Sequence, residues 1–265
     1  MRFFILFMPL IALFSCGNSD QAPQTSAIMD VVSQPLPPNP DTVNVRISDL
    51  NCWVEQDKFF VSGLCDNRAG LWQRIWLRVE PMDSKGQALS VNGQPSATIR
   101  TFSDAVPPLG RTSFFAEWPL SSFSSQPDSC RVTGAGAMKM MPGPILINAD
   151  QSGVRMLVPD PEDPKKTIEK AWQASVIVEN PLEMLAYHPR VEILIYGKDQ
   201  RLWFAQILNP EDPAMKQIVA TQAEGPMQPH ERRRIGTNIF YDKLPKALCD
   251  SLIGRVDFLP FEARE

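Results

Sequence analysis

Beyond Thr42 the chain runs in short segments where apolar and polar residues alternate. Val43, Val45 and Ile47 take alternate places among polar neighbours, Phe59 and Val61 lead to Cys65, and Ile75, Leu77 and Val79 alternate with Trp76, Arg78 and Glu80. Period-two alternation puts every second side chain on one face of an extended segment, so these runs predict half-buried strands. Residues 97–102, 112–118 and 131–138 continue the set, and Asp83-Ser84-Lys85-Gly86 supplies a turn within it. Helical spacing is poor throughout.

A second set follows. Residues 172–178 predict a strand with Val176 and Val178 on one face, and Val191, Ile193 and Ile195 predict another. Gly197-Lys198-Asp199-Gln200 turns the chain, residues 201–207 return, and residues 217–223, 234–240 and 255–258 finish the set. Residues 245–249 suit a short helical piece. The two sets share a rhythm. Each begins with a strand ending in an asparagine (Asn67, Asn180), continues through a loop to an arginine (Arg74, Arg190), and has a late strand after a proline-containing loop. The arginines lie 116 residues apart and the asparagines 113. The pattern predicts an all-β protein of two similar β-sandwich units, residues 43–140 and 154–265, joined by a linker at 141–153 that includes the breaker cluster Pro142-Gly143-Pro144. Ile145-Leu146-Ile147 could add an edge strand. Residues 160–166 form a charged loop.

Val178-Glu179-Asn180 matches a "V-x-N" element, Val79, Asp83 and Gly86 follow a "V-x-V-x-x-x-D-x-x-G" hairpin, and Leu109-Gly110-Arg111 follows a "P-G-x" turn before a late strand. This order resembles the FxLYD-type immunoglobulin-like modules of bacterial lipoproteins. The second unit lacks the glycine of the last turn. The resemblance implies tandem immunoglobulin-like sandwiches and brings no catalytic residues with it.

The N-terminus has a different character. Met1-Arg2 precedes an apolar run over residues 3–14, interrupted by Pro9. The run is too short to span a bilayer, which takes ~20 residues, and suits the core of a signal peptide over residues 1–15. Leu13-Phe14-Ser15-Cys16 resembles a bacterial lipobox, with Phe14 where a smaller residue is usual. The resemblance implies cleavage before Cys16 and lipidation of its thiol, which anchors a chain to a membrane through buried methylenes. Gly17 stands where an aspartate would resemble an inner-membrane retention signal, so the outer membrane is the expected location. Residues 16–42 are polar and proline-rich, the composition of an extended tether.

The net charge of −4 argues against nucleic acid as a partner, since phosphate binding needs clustered Lys and Arg. The 25 prolines disfavour long helices and suit loop-rich β structure. Export would place Cys52, Cys65, Cys130 and Cys249 in an oxidising compartment, where four cysteines allow three pairings. If the strands alternate up and down, Cys65 and Cys130 fall at one end of the first sandwich. The expected bonds are therefore Cys65–Cys130 and Cys52–Cys249.

Catalytic signatures are sparse. His188 and His230 lie in no metal-binding spacing, and no nucleophile elbow or phosphate loop occurs. No catalytic residue, metal or cofactor is expected. Gly134-Ala135-Gly136 falls in an expected strand and suits close packing. Met138, Met140, Met141, Met156 and Met184 could ligate Cu(I), but packing between the units is the expectation. Arg232, Arg233 and Arg234 form a basic cluster that is either a solvated turn or a contact for anionic lipid or an acidic partner. Trp53 and Trp76 are core or surface, and Trp72, in a loop, is the better candidate for a contact. The expected role is that of a lipid-anchored, non-enzymatic structural or adaptor subunit of a cell-envelope protein assembly, with other envelope proteins as partners. The alternative is a periplasmic or surface binding protein for a carbohydrate or other small ligand. A hydrolase with an unusual site ranks third. Concave aromatic clusters would favour the ligand; a flat apolar patch or an unpaired sheet edge would favour the protein partner.

Overall fold

The computed structural model describes residues 43–157, 171–208, 225–240, 244–248 and 253–264. The signal segment, Cys16, the tether, the charged loop 160–166, the expected strand 217–223 and Cys249 lie outside the described residues.

Twelve strands among the described residues build four antiparallel sheets of three. β1 (Val45–Glu55), β2 (Lys58–Asn67) and β5 (Arg111–Pro119) form the sheet β1-β2-β5. β3 (Gln73–Met82), β4 (Ala97–Arg100) and β6 (Ser129–Lys139) form β4-β3-β6. The second half repeats the scheme. β7 (Ile147–Leu157), β8 (Ala171–Glu179) and β11 (Arg232–Phe240) form β11-β8-β7, while β9 (Pro189–Gly197), β10 (Leu202–Leu208) and β12 (Ile253–Glu262) form β10-β9-β12. Each of the first six strands thus has a counterpart six strands later with equivalent neighbours. The fold is all-β, two immunoglobulin-like sandwiches in tandem. A single 3-10 turn, Lys246–Leu248, occupies the expected helical piece.

The first sandwich closes over Phe59, Val61 and Phe114 from one sheet and Ile75, Leu77 and Val79 from the other, all fully buried. Alternate residues of the same strands are buried as well, but on the opposite side. Phe60, Leu64 and Phe115 leave the first core and join the apolar cluster of the second half, with Ile193, Leu194, Tyr196 and Phe204. The outer face of β1-β2-β5 therefore packs against the outer face of β10-β9-β12. Trp53 stacks on Phe60 with centroids 5.1 Å apart and meets Trp203 edge-on at 4.9 Å, and Phe115 lies 5.5 Å from Phe204. Each such ring removed from water contributes about 1.5–3 kcal/mol. Polar contacts cross the same seam. Asn51 Nδ2 and Ser62 Oγ both donate to the Leu202 carbonyl, and Tyr196 Oη donates to Asp49 Oδ2.

A bulge in β1 makes this two-sided burial possible. Ser48 opposes Leu64 but Asn51 opposes Ser62, so β1 carries one extra residue there, with Asp49 in the left-handed region at φ 50°. One inserted residue reverses which side chains face inward. Before it Val45 and Ile47 pack on the first core; after it Cys52 does, and Trp53 turns to the second sandwich.

That reversal also corrects the expected disulfides. Cys52 of β1 is bonded to Cys130 of β6, joining the two sheets of the first sandwich, and Cys65 is a buried free thiol among the core side chains. The expected Cys65–Cys130 pair took the ends of strands as neighbours without placing them in sheets, and Cys52 is not available for Cys249. β7 begins at Ile147, inside the stretch read as linker. Its register jumps between Ala149 and Gly153, and the polar run Asn148-Ala149-Asp150-Gln151-Ser152-Gly153 imitates a loop. Of the methionines expected to pack between the units, Met141 is 77% exposed and Met184 50%, and among the described residues aromatic rings pack across the seam. Gly134 does serve close packing, since a Cβ there would sit 2.5 Å from Val43 Cγ1.

Candidate functional site

Asn67 and Asn180 organise equivalent loops in the two sandwiches. Asn67 is fully buried at the end of β2, and its Nδ2 donates to the carbonyls of Leu71, Val106 and Pro107 while its Oδ1 accepts from Ala69 N. Asn180, fully buried just after β8, makes the same set with Met184, Met227, Gln228 and Leu182 N. Each amide thereby saturates loop carbonyls that burial cuts off from water. In both repeats the anchored turn places a non-glycine residue in the left-handed region: Leu109 at φ 59° and His230 at φ 58°. Gly110 N closes the first turn on Pro107 O, and Glu231 N closes the second on Gln228 O. The missing glycine of the second unit is thus immaterial, because the left-handed residue is the one before it.

Exposed apolar side chains gather on these loops. Leu109 is 77% exposed and Leu71 36%, while Leu182, Met184 and Tyr187 are exposed on the loop that follows Asn180. Holding leucine in the left-handed region costs about 1–2 kcal/mol.

The expected contact residues fare differently. Trp72 is half-buried, and its carbonyl accepts from Met140 N. Arg232 and Arg234 are exposed, the first 3.7 Å from Glu179 and the second donating to Ser175 Oγ. Arg233 is 5% exposed and bound to Glu231 and to the carbonyls of Gly225 and Pro226, so it is structural and not a contact. All three lie in β11, where successive side chains take opposite faces, so they make neither a turn nor a single patch.

Where the two loop sets approach each other, a cavity of about 390 Å³ opens, lined by Arg74, Arg100, Asp104, His188, Arg190 and Arg264. Arg74 and Arg190 hold the same position in β3 and β9, so the repeat that marked them in sequence brings them together at the seam. Asp104 Oδ1 lies 3.4 Å from Arg74 Nε and 3.3 Å from Arg100 Nη1. Arg74 Nη2 donates to the Arg264 carbonyl, and Arg264 pairs with Glu262. Arg100, Asp104 and Arg264 carried no sequence signal and His188 was noted only for its lack of metal-binding spacing, since the end of β4, two loops and the residues after β12 assemble them.

Beside the cavity Glu192 of β9 is 1% exposed and faces the first sandwich. Its Oε1 accepts from Thr112 Oγ1 at 2.6 Å, and its Oε2 accepts from the amide and hydroxyl of Ser113 at 2.6 and 2.5 Å. Burial pushes its carboxyl up to about 7 against the opposing pull of these donors. At Asp66 burial also works upward, but hydrogen bonds and charge from Arg111 and Arg68 win and hold that carboxyl below its ordinary value. Burial pushes the Cys65 thiol up to about 12, helped by the charges of Asp66 and Glu192.

Among the described residues no group of three or more His, Cys, Asp or Glu could hold a metal ion, and no helix is long and apolar enough to cross a membrane. No protein-family model and no curated protein matches the chain. Among solved structures it is similar to a crystal structure of red sea bream transglutaminase, at 13% identity and a TM-score of 0.22, over 83% of this chain. The chain spans 30% of that structure's length.

Proposed function

We propose that the protein is a lipid-anchored, non-enzymatic adaptor subunit of a cell-envelope protein assembly, held through Cys16 on the outer membrane. The observation that carries this reading is the pair of anchored loop sets. Two buried asparagines hold them, a shared core joins the sandwiches that bear them, and they expose Leu71, Leu109, Leu182, Met184 and Tyr187. Large apolar residues on fixed loops suit a protein partner better than a solvated surface does. The strained conformation of Leu109 fits the same role, since strain at an exposed residue points toward use.

Cross-linking in intact membranes, followed by detergent purification and mass spectrometry, tests the reading. A stoichiometric partner whose recovery falls at least fivefold on Leu109→Asp is expected. Recovery as a solitary monomer, with acyl chains absent from Cys16, would remove both halves of the proposal.

A further inference from the structure

We propose that the linker between the sandwiches makes a second membrane contact: Met141, Ile145 and Ile147 rest in the headgroup layer of the bilayer that holds Cys16. The inference rests on the Cys16 anchor of the adaptor reading and leaves the loops of Asn67 and Asn180 to the protein partner. Residues 140–147, Met-Met-Pro-Gly-Pro-Ile-Leu-Ile, include no charged side chain. Pro144 and Leu146 are buried, Leu146 within the apolar cluster of the second half, so alternation turns Ile145 and Ile147 outward. Ile145 is 54% exposed, Ile147 44% and Met141 77%. An extended segment with one solvated face ordinarily carries polar residues on that face. Here both faces are apolar, and the outer one needs a cover. The backbone beneath it is held: Met140 N donates to the Trp72 carbonyl, and Arg264 Nη2 donates to the Pro142 carbonyl. The exposed side chains therefore give up little freedom on contact. Lys139, exposed at the start of this ridge, places a cation where lipid phosphates would lie, while its stem stays with apolar neighbours.

Position says what covers the ridge. Val43, where the tether meets the body, lies against β6: a Cβ on Gly134 would sit 2.5 Å from Val43 Cγ1. From Gly134, β6 runs on to Lys139 and into the ridge. The anchored end of the chain thus joins the body on the strand that leads to these side chains. Residues 17–42 separate Cys16 from the body, and a relaxed chain of that length spans about 30 Å. Gln73 of β3 opposes Lys139 and Met82 opposes Ser129, so the turn after Met82 lies at the other end of the first sandwich. A ten-residue strand puts that turn about 30 Å farther from the ridge. The tether therefore brings the ridge to the bilayer at an extension that leaves the far turn in water. Acyl chains on Cys16 also keep the bilayer at a high effective concentration, so three apolar side chains suffice where a free protein would need many more.

The test uses the mature chain, with acyl chains on Cys16 confirmed by intact mass, reconstituted in vesicles of phosphatidylethanolamine and phosphatidylglycerol. A benzophenone-bearing residue replaces Met141, Ile145 or, at the far turn, the exposed Lys85. On illumination, phospholipid adducts at 141 and at 145 are expected to exceed those at 85 at least tenfold. Ile145→Asp with Ile147→Asp should cut the adducts at 141 at least fivefold, with thermal melting showing that the fold is kept. Equal adducts at all three positions, or adducts at 141 untouched by the two aspartates, would overturn the proposal and leave the anchored reading standing. A Cys16 without acyl chains would instead defeat that reading, and the proposal with it. In native membranes, cross-links from 141 and 145 to a protein, without lipid adducts, would also overturn it, because a partner would then cover the linker.

Discussion

Glu192 reaches from β9 across the seam to Ser113 on β5, where the backbone amide and the hydroxyl both donate to one carboxylate oxygen. A group that belongs to one sandwich is satisfied entirely by the other. Its titration therefore reports on the joint between them, and the direction is fixed. The folded carboxyl titrates near 7 where its ordinary value is 4.5, so the folded state keeps a proton that the unfolded chain releases. This contribution is full below pH 4.5 and is lost as pH rises through 7. Over that window it amounts to about 3 kcal/mol. Denaturant unfolding of wild type and Glu192→Gln at pH 5 and pH 8 isolates the effect from other groups. The variant should gain on wild type at pH 8 relative to pH 5. An equal stability difference at both values would show that Glu192 is not desolvated at the seam.

Asn67 should tolerate substitution poorly for reasons that an isostere exposes. Asn67→Ala removes the donor shared by three loop carbonyls; Val106 O and Pro107 O keep the amides of Gln73 and Gly110, whereas Leu71 O loses its side-chain donor, and the change should cost about 1–3 kcal/mol. Asn67→Asp keeps the shape but turns an oxygen toward those carbonyls, so at pH 7 it should be at least as destabilising as alanine. Urea melts of both variants, with Asn180→Ala for comparison, provide the measure; a cost below 1 kcal/mol for Asn67→Ala would contradict the loop-anchoring role.

Gly63 lies under the Phe114 ring, and a Cβ there would come within 2.4 Å of Phe114 Cζ. The ring is fully buried and cannot swing away freely. Gly63→Ala should destabilise by about 1–3 kcal/mol through overpacking, despite alanine's better backbone entropy. The double change Gly63→Ala with Phe114→Leu should recover part of that loss in a thermal melt.

Cys65 should be chemically silent in the folded chain. With its thiol near 12 and no exposure, almost none is thiolate at pH 8. Maleimide applied before and after denaturation, followed by peptide mass spectrometry, should label Cys65 only in the denatured sample, while the non-reduced digest yields a Cys52–Cys130 peptide. Rapid labelling of Cys65 in native protein would mean that the first core is open.

Much of the fold is legible in the chain because alternation survives in most strands. Val191, Ile193 and Ile195 announce β9, and the spacing of Asn67 and Asn180 announces the repeat. The seam is harder to read for a physical reason. Glu192, Leu194 and Tyr196 sit between those marker residues, where alternation assigns solvent, and only a second sheet makes that face interior. A glutamate in that row looks like a surface residue until its donors, almost eighty positions earlier, are known. The bulge at Asp49 hid the disulfide in the same way, since alternation carried past it assigns Cys52 to the wrong side. The cavity was visible only as two repeated arginines, because loops and the chain's last strand complete it.

The shared core has a consequence for the lineage of the molecule. A duplicated sandwich usually yields two beads that can be parted and reshuffled, yet here each copy has surrendered its own outside. Severed between β6 and β7, the first half would bare Phe60, Leu64 and Phe115, and the second would bare Leu194, Tyr196 and Phe204. Neither half would remain a freestanding module; each would search for its lost sibling, so later evolution inherits the pair as one indivisible piece.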